Sequence, residues 1–359
     1  LSCCVIFFWC RKSIKNGCEF KLRTKTQELI YNWSFQLGKN TSEALSLNDD
    51  TDACYSIAVD ETGVYCGGYV NGSVGEQAGG SADAVVIKLS VDDGSLQWIK
   101  QLGSESGLAD SAVSAADYCK SIALFGDSVY CGGNSFSSLV EENGGGHDIF
   151  VFKLAKSTGE LGWLKHIGIQ TQESSVLIND LSENDYVESI AVDETGIYLG
   201  GYTYSDLGET NGGLADIFLL KLTEGASSVD IAWLNHLGDA SEDASSIILG
   251  DGTSKVDHCK SIALFGDGVY CGGHTRHSFA ESTGGWFDVL VVKLDKASGV
   301  LEWAKQIGEA ESSLSSSPIS DPGHVEYCNA LAVNDSGIYC AGHTRSDLVE
   351  VNSCSTCPS

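Results

Sequence analysis

Histidines and carboxylates are the side chains of this sequence best suited to acid–base or metal chemistry, and most of them stand at repeating positions. Two of the eight histidines share a short motif, His274-Thr-Arg and His343-Thr-Arg, and the equivalent position is Tyr69 in another copy of the repeated unit. A catalytic residue normally occurs once, so this recurrence indicates a rim position at the end of a strand. There is no G-x-S-x-G, H-E-x-x-H or P-loop motif, and no carboxylate pair stands out from the repeat. The sequence therefore predicts no catalytic residue and no enzyme.

Eight of the 14 cysteines form four pairs whose members lie 12 residues apart at equivalent positions. One copy of the repeat lacks both members and carries Val187 and Leu199 instead, as expected if the partners bond within a repeat. Zinc is the alternative, but zinc sites favour Cys-x-x-Cys spacing and no histidine accompanies each pair. Disulfides in this number predict an oxidising compartment. The predicted pairs are Cys54–Cys66, Cys119–Cys131, Cys259–Cys271 and Cys328–Cys340.

These pairs require an irregular strand. A tight hairpin turn sets Ile57 opposite Cys66, which places Cys54 three residues further along its strand. That separation is too great for a disulfide unless the strand contains a bulge or folds back. The spacing predicts the pairing and leaves its geometry open. The remaining cysteines cannot be paired from the sequence: Cys3, Cys4, Cys10, Cys18, Cys354 and Cys357.

The cysteine pairs belong to a repeated unit whose successive starts lie 65, 68, 72 and 69 residues apart. Its clearest copy runs from Asp52 to Gly103 and contains DACYSIAVDETGVYCGG, DAVVIKL and GSLQWIKQLG. Each full copy has four strand signals, with a tight turn after the first strand and an apolar third strand. The last copy stops half-way, and residues 18–38 supply the missing second half at the other end of the chain.

Four-stranded antiparallel units repeated in this way predict an all-β fold, a five-bladed β-propeller. The closing blade combines the N- and C-terminal half-repeats, which removes open sheet edges. The long loops share one face, where binding is expected. The predicted divisions are a non-repeat segment (1–17), a propeller (18–345) and the start of a Cys-rich tail (346–359). Within the propeller, full blades are predicted at about 52–103, 117–168, 185–238 and 257–308. The composite blade consists of 326–345 plus 18–38.

The repeat resembles the SBBP-type β-propeller repeat of secreted and cell-surface proteins. The resemblance rests on SIAVDETGVYCGG, the Gly-Gly-x-x-Asp turn that ends at Asp83, the Lys-Leu pair and W…LG, and it covers about residues 18–345. It implies the propeller fold and no particular activity, and the paired cysteines depart from the family pattern. The terminal CSTCPS resembles the opening of an EGF-like or ephrin-receptor-like cysteine-rich module, so we expect a segment of a longer extracellular protein.

Charge excludes several classes of partner. The formal net charge of −28 repels phosphate backbones and anionic lipid, so no nucleic acid partner is expected. No apolar run approaches the ~20 residues of a membrane helix. No cofactor is predicted. Ca²⁺ is the alternative at two acidic loops, 47–52 and 238–243, although neither has EF-hand spacing.

Four N-x-Ser/Thr sequons predict a glycoprotein if the source is eukaryotic. Asn40 and Asn71 fall in or beside long loops and are the best candidates. Asn334 lies in a hairpin turn, and Asn32 adjoins a tryptophan expected to pack between blades.

These features together predict a non-enzymatic, extracellular structural protein, a subunit or segment of a surface appendage or fibril. Its expected partners are copies of itself or other matrix or appendage proteins. The alternative is a cell-surface adhesion module that binds glycan or protein through the long-loop face.

Overall fold

The computed structural model describes the strands and short turns of the repeats. The described residues are 23–24, 27–28, 52–74, 81–103, 116–136, 139, 146–168, 184–205, 207, 215–225, 228–238, 256–276, 279, 287–308 and 325–344.

Four complete sheets have four antiparallel strands each, and the order of strands in each sheet follows the chain. We number these sheets blades I to IV. The strands of blade I are β3 (Ala53–Asp60), β4 (Gly63–Val70), β5 (Asp83–Leu89) and β6 (Leu96–Leu102). Those of blade II are β7 (Asp117–Phe125), β8 (Ser128–Ser135), β9 (Asp148–Ala155) and β10 (Leu161–Ile167). Those of blade III are β11 (Asp185–Asp193), β12 (Gly196–Thr203), β13 (Asp216–Glu224) and β14 (Val229–Leu237). Those of blade IV are β15 (Asp257–Phe265), β16 (Gly268–Thr275), β17 (Asp288–Asp295) and β18 (Leu301–Ile307).

A fifth unit, blade V, begins with the hairpin of β19 (Glu326–Asn334) and β20 (Gly337–Thr344). A short antiparallel pair, β1 (Arg23–Thr24) and β2 (Gln27–Glu28), lies near the N-terminus. It falls within residues 18–38, between the Lys-Leu pair and the tryptophan of that half-repeat. The rest of residues 18–38 lies outside the described residues, so the composite closing blade stays a prediction.

Consecutive blades meet along their first strands, since β3 contacts β7, β7 contacts β11, β11 contacts β15 and β15 contacts β19. The first strands therefore lie innermost, around a common axis. A parallel bridge such as Ala82↔Ala116 joins the start of the third strand of one blade to the start of the next blade. Antiparallel four-stranded sheets repeated around an axis form a β-propeller. The predicted all-β, five-bladed β-propeller is confirmed.

A bulge brings the paired cysteines together. The register of β3 and β4 shifts between Cys54 and Ser56, so Tyr55 is an extra residue and Cys54 lies opposite Gly68. The Cα atoms of Cys54 and Cys66 are then 5.9 Å apart, within the range of a disulfide. Four such bonds form, Cys54–Cys66, Cys119–Cys131, Cys259–Cys271 and Cys328–Cys340.

Blade III keeps the same bulge without a disulfide, because its register shifts between Val187 and Ser189. Val187 and Leu199 are fully buried in the apolar cluster between blades II and III. Packing there replaces the covalent bond.

The core consists of separate layers between blades. The third strands are buried on both faces, as in β5, where every residue is buried. Trp98 of blade I extends towards blade II and donates a hydrogen bond of 3.0 Å from Nε1 to the carbonyl of Lys156. Gly159, at φ +73°, lies against the Trp98 ring, where a Cβ would come within 2.7 Å of it. The outer tryptophans thus join neighbouring blades.

Candidate functional site

Buried carboxylates mark the end of the blades from which the long loops leave. Asp117 starts the innermost strand of blade II and accepts a hydrogen bond of 2.6 Å from Ser135 Oγ. Asp185 in blade III accepts one of 2.7 Å from Ser205 Oγ. Each of these carboxylates anchors its own strand ends, and such bonds are typical of a structural role.

A second set of carboxylates starts the third strands. Asp83 accepts a hydrogen bond of 2.6 Å from Gln101 Nε2, and Gln101 also binds the backbone of the two–three loop at Gly72 and Val74. Asp288 and Gln306 form the same pair at 2.7 Å in blade IV. In blades II and III a histidine replaces the glutamine. His166 Nε2 lies 3.6 Å from Asp148 Oδ2, and His236 Nε2 lies 3.5 Å from Asp216 Oδ2. The Gln101 and Gln306 side chains thereby fix the bases of their loops.

Ten aromatic rings form a continuous chain at the same end of the molecule, two from each blade. We call this chain the tyrosine–histidine arc. Consecutive ring centroids lie between 3.7 and 6.2 Å apart. Its members, in order, are Tyr55, Tyr69, Tyr118, His147, Tyr186, Tyr202, His258, His274, Tyr327 and His343.

The repeat itself places these rings. The residue after the acidic start of the first strand lies directly opposite the residue before the end of the second strand, as in the pair Tyr186↔Tyr202. Side chains of directly opposite residues in an antiparallel pair contact each other. The second-strand ring then reaches the next blade, and Tyr202 stacks on His258 with centroids 3.7 Å apart. Alternation of these two contacts carries the arc through blades III, IV and V, whereas Tyr55 joins it from the bulge of blade I and His147 from the residue before β9.

Burial shifts the pKa values of several rings of the arc towards the neutral form. It raises the pKa of Tyr55 to about 12, with further contributions from Tyr69 and Tyr118. Burial, with Lys260 nearby, lowers the pKa of His258 to about 3. Burial and neighbouring positive groups lower the pKa of His274 to about 2. The imidazoles of His258 and His274 and the phenol of Tyr55 are therefore neutral at pH 7.

Three ring nitrogens of the arc are buried without a hydrogen-bond partner among the described residues. They are His147 Nδ1, His258 Nε2 and His274 Nδ1. Buried polar atoms are usually hydrogen-bonded, so these nitrogens offer polar contacts that a bound molecule can satisfy.

The bulge residue of each blade lies beside the arc, and it changes from blade to blade. In blade I it is Tyr55, a member of the arc, and in blade II it is Lys120, whose ammonium lies 4.4 Å from the Tyr55 ring centroid. In blade IV it is Lys260, which forms an ion pair of 2.7 Å with Glu188, the bulge residue of blade III. This variable position gives an otherwise repetitive arc distinct local chemistry.

The two histidines of the His-Thr-Arg motif both lie at the ends of second strands. They differ in environment, since His274 is 4% exposed and His343 is exposed. The sequence interpretation as rim positions missed that they belong to one continuous arc. The signal was the aromatic type of the residue that follows each acidic strand start, at positions 118, 186, 258 and 327.

The other predicted sites fall unevenly on the described residues. Asn334 is exposed in the turn between β19 and β20, and Asn71 is half-buried with its backbone N–H bound to Asp52. Asn32, Asn40, the six unpaired cysteines and nearly all of the two acidic loops lie outside the described residues. Where side chains are described, no group of three or more His, Cys, Asp or Glu residues could hold a metal ion. Glycosylation and Ca²⁺ binding stay predictions.

Compartment follows in part from the covalent structure. Four disulfides are typical of proteins from oxidising compartments. In the parts of the chain that are described, no helix is long and apolar enough to cross a membrane.

No family model matches the chain, and no curated protein matches it. Solved structures of similar shape include the quinohemoprotein alcohol dehydrogenase of Comamonas testosteroni, with 16% identity, 72% of this chain and 35% of that chain covered, and a TM-score of 0.38. The exo-1,5-alpha-L-arabinanase from a bovine ruminal metagenomic library has 10% identity, with 81% of this chain and 87% of that chain covered and a TM-score of 0.34. BamB from Moraxella catarrhalis has 13% identity, with 73% of this chain and 79% of that chain covered and a TM-score of 0.28. The chain thus spans about a third of the alcohol dehydrogenase.

The functional prediction from the sequence is wrong. Nothing in these comparisons supports a subunit of a fibril or appendage, and the similar structures include two enzymes. The prediction inferred a role from rigidity, disulfides and a lack of catalytic motifs, but those features specify a scaffold and its compartment, not its task. At these TM-scores the likenesses assign no activity to this chain either.

Proposed function

We propose that the protein is an extracellular binding protein that holds a small ligand at the tyrosine–histidine arc without transforming it. The observation that supports this most is the arc itself, ten contacting rings that pass through all five blades at the long-loop end. Aromatic side chains offer large contact areas at low entropic cost, and small-molecule sites are mostly apolar with a few polar groups. The arc has this composition.

Polar contacts are available within the arc. The unpartnered nitrogens of His147, His258 and His274 lie among the rings, and their imidazoles are neutral, so each can donate or accept one hydrogen bond. The carboxylates nearby are engaged by Ser135 and Ser205, which favours a structural role for them over proton transfer. Binding without turnover accounts for both features.

The resemblance to SBBP-type repeats and the cysteine-rich tail fit an extracellular setting. The four disulfides are consistent with it. We therefore place the binding surface outside the cell, and we assign no cofactor to it.

A ligand screen tests the proposed function. A library of small molecules is screened against the purified chain by ligand-observed NMR, and hits are titrated against the Tyr202→Ala variant. We expect about fivefold weaker binding, because loss of one stacked ring removes on the order of 1 kcal/mol. Phe125→Ala is the matched control, since Phe125 is an exposed ring at the opposite end of blade II. Hits that bind Tyr202→Ala as well as the unaltered chain would remove the arc as the site.

A further inference from the structure

Three tyrosines at the blade I end of the arc pack against one another. The centroids of Tyr55 and Tyr69 are 5.4 Å apart, those of Tyr69 and Tyr118 are 5.1 Å apart, and those of Tyr55 and Tyr118 are 6.5 Å apart. The rings are inclined to one another by 38°, 84° and 55°. Tyr55 is 46% exposed and the other two are half-buried, so the cluster is open to solvent on one side. No other part of the described arc has three tyrosines from two adjacent blades in mutual contact.

A cation already contacts one ring of this cluster. The ammonium of Lys120 lies 4.4 Å from the centroid of the Tyr55 ring, inside the ~6 Å range of cation–π attraction. The equivalent lysine of blade IV, Lys260, binds the carboxylate of Glu188 instead. Among the residues that the structure describes, Lys120 has no carboxylate within ion-pair distance. The electron-rich face of Tyr55 therefore holds its charge.

The surroundings favour positive charge. The Asp117 carboxylate adjoins Tyr118, and its negative charge adds to burial in raising the pKa of that phenol. The phenols of Tyr55 and Tyr118 consequently stay neutral over the physiological range, with faces that carry the negative end of the ring quadrupole. The chain as a whole has a formal charge of −28, which concentrates cations at its surface.

We propose that Tyr55, Tyr69 and Tyr118 form an aromatic cage for an organic cation of the quaternary ammonium class, in which the ligand displaces the Lys120 ammonium from the face of Tyr55. This inference rests on the proposed function of the arc and names the ligand class at one end of it. A lysine ammonium is strongly hydrated and tethered. A quaternary ammonium group loses less hydration and is broad enough to contact more than one ring, so it competes effectively for the Tyr55 face.

Choline and its uncharged isostere 3,3-dimethylbutan-1-ol provide the test. Both are titrated against the full chain by isothermal calorimetry, and the Lys120→Met, Tyr69→Ala and Lys88→Met variants are compared. We expect choline to bind at least about fivefold more tightly than the isostere. Lys120→Met, which frees the face of Tyr55, strengthens choline binding severalfold, and Tyr69→Ala weakens it about two- to fivefold. Lys88→Met is the matched control, because the Lys88 ammonium lies 5.5 Å over Tyr65 away from the cage and its loss leaves the affinity unchanged.

Each contrary outcome has a definite meaning. Equal binding of choline and the isostere overturns the cation preference and leaves the arc as a ligand site. Choline binding that ignores both Lys120→Met and Tyr69→Ala overturns the cage. If neither compound binds, the cage is overturned, and the Tyr202→Ala screen decides separately whether the arc binds ligands at all. Circular dichroism of each variant confirms its fold, and Tyr69→Leu replaces Tyr69→Ala if that variant does not fold.

Discussion

The hydroxyl oxygen of Ser56 in blade I accepts a hydrogen bond of 3.1 Å from the backbone N–H of Ile122 in blade II. The N–H belongs to the innermost strand, which has no strand neighbour on its axial side within the sheet. The bond recurs at the next three junctions with lengths of 3.0 to 3.2 Å: Ser121 to Ile190, Ser189 to Ile262 and Ser261 to Leu331. A repeated serine thus joins each blade to the following one.

Loss of this serine should destabilise the propeller. We predict that Ser189→Ala lowers the free energy of unfolding by ~1–3 kcal/mol, because the Ile262 N–H loses its partner in a part-buried position. Guanidinium unfolding monitored by tryptophan fluorescence measures this. Ser157→Ala, at an exposed turn of blade II, is the control and should change stability by less than ~0.5 kcal/mol. Equal effects of the two substitutions would show that the junction bond contributes nothing.

Blade III should accept the missing disulfide. It has the same bulge as its neighbours, and Val187 and Leu199 occupy the cysteine positions. We predict that the double variant Val187→Cys/Leu199→Cys forms a fifth intra-blade disulfide when produced under oxidising conditions. The bond closes a short loop and should add roughly 2–3 kcal/mol, less the loss of buried methyl groups.

Non-reducing peptide mapping of the double variant detects the bond directly. Each single cysteine variant serves as control and should show a free, buried thiol with lower stability. Free thiols at both positions in the double variant would contradict the idea that all five hairpins share one geometry.

Acid should weaken the arc. His258 and His274 have folded-state pKa values of about 3 and about 2, below the unfolded value near 6.5. The unfolded chain then binds more protons than the folded chain between about pH 3 and 6.5, so stability is complete above pH 6.5 and falls as the pH drops through this window. Each histidine contributes a slope of up to ~1.4 kcal/mol per pH unit.

The pH dependence of stability is compared between the unaltered chain and His274→Phe. This substitution keeps a ring between His258 and Tyr327 and removes the titrating group. Unfolding midpoints at pH 7 and pH 4.5 give the two slopes. We expect a shallower slope for His274→Phe, because one proton-binding group is lost while His258 and Lys260 remain. Parallel slopes would mean that His274 is not held neutral in the fold.

Glycosylation should follow exposure. Asn334 is exposed at the turn of the β19–β20 hairpin, whereas Asn71 is half-buried beside Asp52. When the chain passes through a eukaryotic secretory pathway, we predict higher occupancy at Asn334 than at Asn71. Glycopeptide mass spectrometry measures both, and Asn334→Gln should abolish the Asn334 signal alone. Higher occupancy at Asn71 would contradict the burial seen here.

The repeat made much of the fold predictable from the sequence. Cysteines 12 residues apart specified four pairs, and the register argument showed that a bulge was needed to join them. The structure places that bulge at Tyr55 and its equivalents. The location of a bulge depends on cross-strand register and on packing between blades, which a linear pattern does not encode.

The arc was harder to predict because its contacts are formed between blades. Tyr202 and His258 are 56 residues apart in the sequence and stack only because two successive sheets are set side by side around an axis. The hydrogen bonds of the junction serines could not be predicted from the sequence for the same reason. Function was harder still, since a recurring ring reads as packing in the sequence and becomes a candidate site only when its neighbours are known.

Blade V is expected to close the ring against blade I. Ile122, Ile190 and Ile262 are buried against the preceding blade, whereas the equivalent Ile57 of blade I is 68% exposed. On blade V, Tyr339 is 52% exposed on the strand equivalent to the one that carries Tyr65. We predict that these two apolar faces meet and that residues 18–38 complete blade V. The junction has Ala330 where the other blades have serine, so it lacks one hydrogen bond.

Photocrosslinking tests closure most directly. A benzoylphenylalanine residue replaces Ile57, and the crosslinked peptide is identified by mass spectrometry after irradiation of the dilute full chain. The same replacement at Ile122 is the positive control and should crosslink to blade I. Closure predicts that position 57 crosslinks within one chain to the β19–β20 hairpin, at residues 326–344. Crosslinks from position 57 only to a second copy, or to no part of blade V while the Ile122 control succeeds, would contradict it.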